Sequence, residues 1–248
     1  MITVNNIYKS FGGQKVLKGI TTQFEQGKTN LIIGQSGSGK TVLMKSCIGL
    51  YDIDSGTIEF NGRVFSNMPE KKRKHIRKEM GVLFQGGALF DSLTVEENVM
   101  FPLNMFTKMT LKEKKERVDY VLEHVNLENA NKKYPSELSG GMIKRVAIAR
   151  AISLIPKYLF ADEPNSGLDP KTAERIDKLL HDLTKEFNLT TVINTHDMNS
   201  VLQIGEKISF IKEGKLWWEG TKEDVLTTDN EDLNEFIFST ELTRRLKT

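Results

Sequence analysis

Eight consecutive residues, Gly34-Gln35-Ser36-Gly37-Ser38-Gly39-Lys40-Thr41, restrict this chain more than anything else in it. They fit G-x-x-x-x-G-K-[ST] and follow Leu31-Ile32-Ile33, an apolar run that reads as a buried strand. A strand that delivers a glycine loop into a helix start commits this region to an α/β unit. Glycine tolerates positive φ and close approach, so the backbone can curl until several N–H groups aim at β- and γ-phosphates. Lys40 adds a point charge, and Thr41 would offer its hydroxyl to Mg²⁺. The helix beginning there, through Val42, Leu43 and Met44, turns its positive end toward the anion. The alternative, an ordinary glycine-rich turn, does not account for its place directly after a strand.

The bulk properties allow one sizeable core or two small lobes. At 248 residues, with 38% hydrophobic and 27% charged content, the chain matches an ordinary globular protein, not a disordered one. Its 35 basic and 33 acidic residues leave a net charge of +2, which predicts no general attraction to nucleic acid or acidic lipid, and no nucleic-acid partner is expected. The basic run Lys71 to Lys78 reads as a solvated helix face, with phosphate contact the alternative. A single cysteine, Cys47, excludes an internal disulfide and reads as a small buried hydrophobe. No segment approaches the roughly 20 apolar residues that span a bilayer, so the chain is expected to be cytosolic unless a partner anchors it.

Short strands are expected at Ile2-Thr3-Val4, Val16-Leu17 and Thr21 to Phe24, and Asn61-Gly62 between Thr57–Phe60 and Val64-Phe65 predicts a hairpin with a tight primed turn. These make a small antiparallel lobe. From Thr94 to Ala151 the pattern turns helical: Val118, Val121, Leu122 and Val125 recur at helical spacing behind a capping box at Thr110 to Glu113. Strands return at Tyr158 to Ala161, Thr191 to Asn194 and Ile208 to Ile211, alternating with helices, so a mostly parallel sheet is the economical reading.

Asp162-Glu163 closes the strand Tyr158 to Ala161, and the carboxyl ends of strands are where an open α/β sheet places its ligand crevice. Asp162 can hold Mg²⁺ there, while Glu163 can orient or deprotonate the water that attacks a γ-phosphate. Leu138-Ser139-Gly140-Gly141-Met142 opens a second helix and makes a second anion site. One nucleotide does not need two such sites in one chain. Two copies set head to tail would resolve this, each nucleotide lying between one copy's loop and the other's turn.

In order and spacing these motifs resemble the nucleotide-binding subunit of ATP-binding cassette (ABC) transporters over about residues 2 to 226. Gly34–Thr41 matches Walker A, Leu138–Met142 the signature and Tyr158–Glu163 Walker B; Gln85 matches the Q-loop, Ser166-Gly167-Leu168-Asp169 the D-loop and His196 the switch histidine. The resemblance implies a P-loop NTPase (RecA-like) α/β core with an antiparallel β lobe and an α-helical signature subdomain. It implies an ATPase domain over 1–228, the helical part at about 92–152, followed by a tail over 229–248. Gly34 through Thr41 would bind ATP, with Thr41, Gln85 and Asp162 at Mg²⁺, and Lys40, Gln85, Glu163 and His196 in hydrolysis. Ser139, Gly140, Gly141 and Asp169 would act on nucleotide across a homodimer, and Phe11 would stack on adenine unless it is merely core. The implied partners are a second copy and membrane permease subunits, at the cytoplasmic face of a bacterial inner membrane.

Two departures bear on cargo. The signature ends in Met142 where glutamine is usual, and Gly86-Gly87-Ala88-Leu89-Phe90 follows Gln85. With Glu97-Asn98-Val99, these look like the ATPases of Mla/Mce-type phospholipid transporters, which implies a phospholipid cargo and an Mce-domain lipid-binding partner. The alternative is the ATPase of another system, importing amino acids or exporting lipoproteins, or one acting in cell division. In the tail, Leu233, Phe236, Ile237, Leu242 and Leu246 fall near helical spacing, read as packing on its own domain or gripping a neighbour.

Overall fold

The computed structural model describes residues 1–237. The elements run β1 (Ile2–Phe11), β2 (Gln14–Phe24), β3 (Thr29–Ile33), α1 (Lys40–Ile48), β4 (Ser55–Phe60), β5 (Arg63–Val64), α2 (Glu70–Arg77) and β6 (Met80–Leu83). They continue α3 (Val95–Phe106), α4 (Leu111–His124), a 3-10 turn (Pro135–Glu137), α5 (Gly140–Ile152), β7 (Tyr158–Asp162), α6 (Pro170–Glu186), β8 (Thr190–Asn194) and α7 (Met198–Ile204). The order closes with β9 (Lys207–Lys212), β10 (Lys215–Gly220), α8 (Lys222–Thr227) and α9 (Glu231–Ile237).

A six-stranded sheet in the order β10-β9-β3-β8-β7-β6 is parallel throughout except for the antiparallel pair β9–β10. Every residue of β3 and β8 is buried, because both faces of this sheet are covered. The strand period of two then sorts side chains into two cores. Leu31, Ile33, Leu159, Ala161 and Ile193 point to the helical layer of α3 to α6, whereas Ile32, Tyr158, Phe160 and Val192 point to α1 and the second sheet. That second sheet is antiparallel, in the order β2-β1-β4-β5. At its edge Asn61 (φ 48°) and Gly62 (φ 75°) make the primed turn expected of them.

The structure revises one local expectation and bears out another. Val16-Leu17 and Thr21–Phe24 belong to one strand, because Gly19 is the extra residue of a bulge: Ile7 pairs with Ile20 and Tyr8 with Lys18. The capping box at Thr110 is present, with Glu113 N–H donating to Thr110 Oγ1, and a second at Thr94 with Glu97 starts α3. Cys47 is 1% exposed, and burial pushes its thiol up to about 12, so it is inert packing. In α9, Leu233 and Ile237 are buried and the Phe236 ring lies 5.3 Å from that of Phe210; Leu242 and Leu246 lie outside the described residues.

Candidate functional site

Because β3, β8, β7 and β6 are neighbours and parallel, their carboxyl ends fall along one edge of the sheet. Register does the rest: Ile32 pairs with Asn194, Asn194 with Asp162, and Ala161 with Leu83. Segments far apart in sequence therefore end side by side, as sheets of this kind require of a ligand crevice.

The loop after β3 is closely fitted. Gly34 (φ 147°) presses against the carbonyl of Ile211, where a Cβ would collide with backbone, and Gly39 (φ 109°) turns the chain into α1. Lys40, 6% exposed, arches back so that Nζ donates to the carbonyls of Gly34 (2.7 Å) and Gln35 (3.0 Å). Burial draws its ammonium below the usual lysine range, opposed by the carboxylates of Glu163 and Asp162. Ser38 Oγ is buried without a partner, whereas Gln35, Ser36 and Gly37 are exposed. An ammonium, a helix start and an orphaned hydroxyl around one small loop constitute a receptor for anionic oxygens.

Across from the loop, Thr41 Oγ1 lies 3.5 Å from Asp162 Oδ1, which also accepts from Asn194 Nδ2 at 2.9 Å. Glu163 stands at φ 47°, its N–H donating to Asn194 O at 3.0 Å. Its carboxylate meets His196 Nδ1 at 3.1 Å on one oxygen and accepts from Gln85 Nε2 at 3.1 Å on the other. Gln85 thus reaches Glu163 and the Ser166 hydroxyl (3.4 Å), not Asp162. Its own carbonyl accepts from the buried Lys144 Nζ, and Arg150 of the same helix donates to the carbonyls of Gly87 and Ala88, each at 2.8 Å. Gly34, Lys40, Glu163, Ser166, Thr195 and His196 line a single open space of about 1030 Å³.

Among the described residues no cluster of three or more His, Cys, Asp or Glu forms a cage for an ion. Thr41 and Asp162 instead offer one hydroxyl and one carboxylate, the donor set that suits Mg²⁺ sharing its shell with phosphate oxygens and water. The residues present therefore fit that ion.

Other candidates lie apart. Ser139 caps α5, its Oγ accepting from Met142 N–H at 3.3 Å, and Ser139 and Gly140 are exposed. None of residues 138–142 lines the cavity above. Asp169 caps α6, and its bond from Thr172 holds its carboxyl below the usual range. Phe11 is 41% exposed at the end of β1, edge-to-face with Tyr51 at 5.1 Å and outside the same cavity. Sequence reasoning missed Asn194 and Lys144. The strand pairing Asp162 to Asn194 was the signal for the first; nothing local marked the second.

A family model described as "ABC transporter" matches residues 17–166. The chain is 37% identical over 245 residues to a protein of Clostridium tetani named methionine import ATP-binding protein MetN, spanning 98% of this chain and 76% of that one. It is 36% identical over 236 residues to a Mycobacterium tuberculosis protein named probable ribonucleotide transport ATP-binding protein mkl, spanning 95% and 66%. Among solved structures, the dimeric cassette MJ0796, titled a bacterial ABC transporter cassette, superposes with TM-score 0.82 at 32% identity, covering 90% of this chain and 99% of that one. A post-hydrolysis state of that cassette holds ADP and Pi, with TM-score 0.81 at 32% identity, over 90% of this chain and 99% of that one.

Proposed function

This chain belongs to the ABC transporter family as an ATP-hydrolysing subunit, and from that premise we propose that two copies close head to tail around two ATP and drive permease subunits in a bacterial inner membrane. The observation that carries the dimer is the separation within one chain: the Gly34–Thr41 loop, Glu163 and His196 share a cavity that residues 138–142 do not reach. The turn at Ser139 and Gly140, both exposed, is then available to nucleotide on the opposite copy.

In the closed dimer Gly34 to Thr41 wrap the phosphates through their N–H groups, Lys40 releases its two carbonyls for phosphate oxygens, and Phe11 stacks on adenine. Thr41 and Asp162 would hold Mg²⁺, joined by Gln85 once its amide leaves Glu163, and the ion would supply neutralising charge at the β- and γ-phosphates. Glu163 takes the proton of the attacking water, and His196 holds Glu163 and the γ-phosphate in line. Ser139, Gly140 and Gly141 supply donors from the partner copy and Asp169 lies at the same junction, so hydrolysis waits for closure. Among the described residues no helix is long and apolar enough to cross a membrane, which agrees with attachment through other subunits.

For cargo, the names of the MetN relatives support amino-acid import, which we take as the leading reading. Phospholipid transport with an Mce-domain partner is the second reading, on Met142 and the Gly86–Phe90 segment. The test is affinity purification of the tagged chain from detergent-solubilised membranes of its host, with mass spectrometry of proteins and lipids. A permease with an amino-acid-binding protein supports import. An Mce-domain protein with enriched phospholipid overturns it in favour of the second reading, and recovery of no polytopic subunit refutes transport. For the site, Glu163→Gln should stop hydrolysis and trap an ATP-bound dimer on size-exclusion chromatography.

A further inference from the structure

Behind the contact between Glu163 and His196 lies a chain of polar side chains that the hydrolytic chemistry leaves unused. Ser200 Oγ donates to Asp177 Oδ2 at 2.7 Å and accepts from Asn165 Nδ2 at 3.1 Å. Ser200 is 1% exposed and Asp177 2%, so both side chains lie in the interior. The three residues come from three segments. Asn165 follows Glu163 by two positions, Ser200 sits in the first turn of α7 just after His196, and Asp177 projects from the middle of α6. α6 is itself held in the core by Ile176, Leu180 and Leu183. The chain of bonds therefore ties the backbone on both sides of the Glu163–His196 contact to one rigid helix.

Stability alone does not account for it. Burial pushes the Asp177 carboxyl up to about 6, and Asp177 Oδ1 and Asn165 Oδ1 are buried without partners. Apolar side chains of similar volume would fill the space at lower cost. What the bonds supply is position. Glu163 stands at φ 47° directly before Pro164, a conformation that a non-glycine residue keeps only where its surroundings impose it. The bond from Glu163 N–H to Asn194 O fixes one side of that residue, and the anchoring of Asn165 to Ser200 fixes the other.

We propose that Asp177 is a positioning residue for ATP hydrolysis, acting through Ser200 and Asn165 to set the separation between the loop that carries Glu163 and the loop that carries His196. The proposal rests on the reading of those two side chains as hydrolytic. A purely structural role for the same bonds would lower the unfolding temperature and leave turnover alone.

The test uses the full chain with ATP and Mg²⁺. In Ser200→Ala and Asp177→Ala, kcat should fall by about tenfold while KM for ATP stays within about twofold, because alignment is lost and the phosphate loop is untouched. The double variant should be no slower than the slower single, since one connection is cut either way. Asp177→Asn keeps an acceptor for Ser200 and should recover most of the turnover lost in Asp177→Ala. The imidazole Hε1 resonance of His196, one of four histidines, should shift in Ser200→Ala with the other three unmoved, a readout that needs no turnover. If Asp177→Ala does not fold, Ser200→Ala, which removes a single oxygen, decides. Parental kcat and an unmoved His196 resonance in folded Ser200→Ala overturn the proposal, as do single losses that multiply in the double. Glu163→Gln is the separate control: if it hydrolyses ATP at the parental rate, the reading of Glu163 has failed, whatever the relay does.

Discussion

Replacing Asp177 by asparagine should make the protein more stable at neutral pH and less sensitive to pH. The carboxyl is 2% exposed, and burial, opposed by the bond from Ser200 and aided by the charge of Asp197, raises it from its ordinary 3.8 to about 6. The folded state therefore holds this proton more tightly than the unfolded chain does. Stability falls as pH rises from about 4, where the unfolded carboxyl ionises, to about 6, where the folded one does, and stays low above that. At roughly 1.36 kcal/mol for each pH unit between the two values, the full cost is about 3 kcal/mol at pH 8 and about half of that at pH 5. Asparagine has the same shape, can accept from Ser200 Oγ and carries no charge. Urea unfolding of parent and variant at pH 5 and pH 8 measures the difference. The advantage of Asp177→Asn should widen by about 1 kcal/mol or more between the two pH values. An advantage that is constant with pH, or a variant less stable at pH 8, refutes the assignment of the cost to the buried charge.

Two further changes test the core and the signature turn. Phe60 is buried edge-to-face against Phe65 (5.2 Å) and Tyr158 (4.8 Å), so Phe60→Ala should cost about 3–5 kcal/mol in urea unfolding, and a loss below about 1 kcal/mol would refute this account of the packing. Met142 contributes its backbone N–H to the Ser139 cap, which any side chain preserves, so Met142→Gln should keep ATPase activity; a loss above about tenfold in a steady-state assay would show that the thioether itself is needed.

What could be read in the sequence was local chemistry. The phosphate loop is contiguous and follows its strand directly, and Asp162-Glu163 ends a run of apolar residues that only a doubly covered strand would carry. The hairpin at Asn61-Gly62 was equally legible, because positive φ at both positions selects those residue types. What could not be read was pairing between distant segments. Gln85 and Lys144 are 59 residues apart, and only the packing of α5 beneath the loop shows that they meet. Asp177 sits between Ile176 and Lys178 on an amphipathic helix, and nothing in the sequence marks it as interior; Ser200 of α7 meets it there. Gly19 concealed the continuity of β2 because a bulge and a turn leave the same local trace.

The two cations that hold the Gln85 loop to α5 carry a consequence for timing. α5 begins at the Ser139 turn and runs 13 residues, about 20 Å, with Lys144 gripping the carbonyl of Gln85 and Arg150 those of Gly87 and Ala88. Attached at two points six residues apart, the loop cannot swivel independently of the rod beneath it. Any tilt of α5 is therefore delivered to Gln85 at once, as one stroke of a lever. In the head-to-tail dimer proposed above, seating the Ser139 turn on one ATP and resetting the Gln85 amide at the other would then be a single mechanical event.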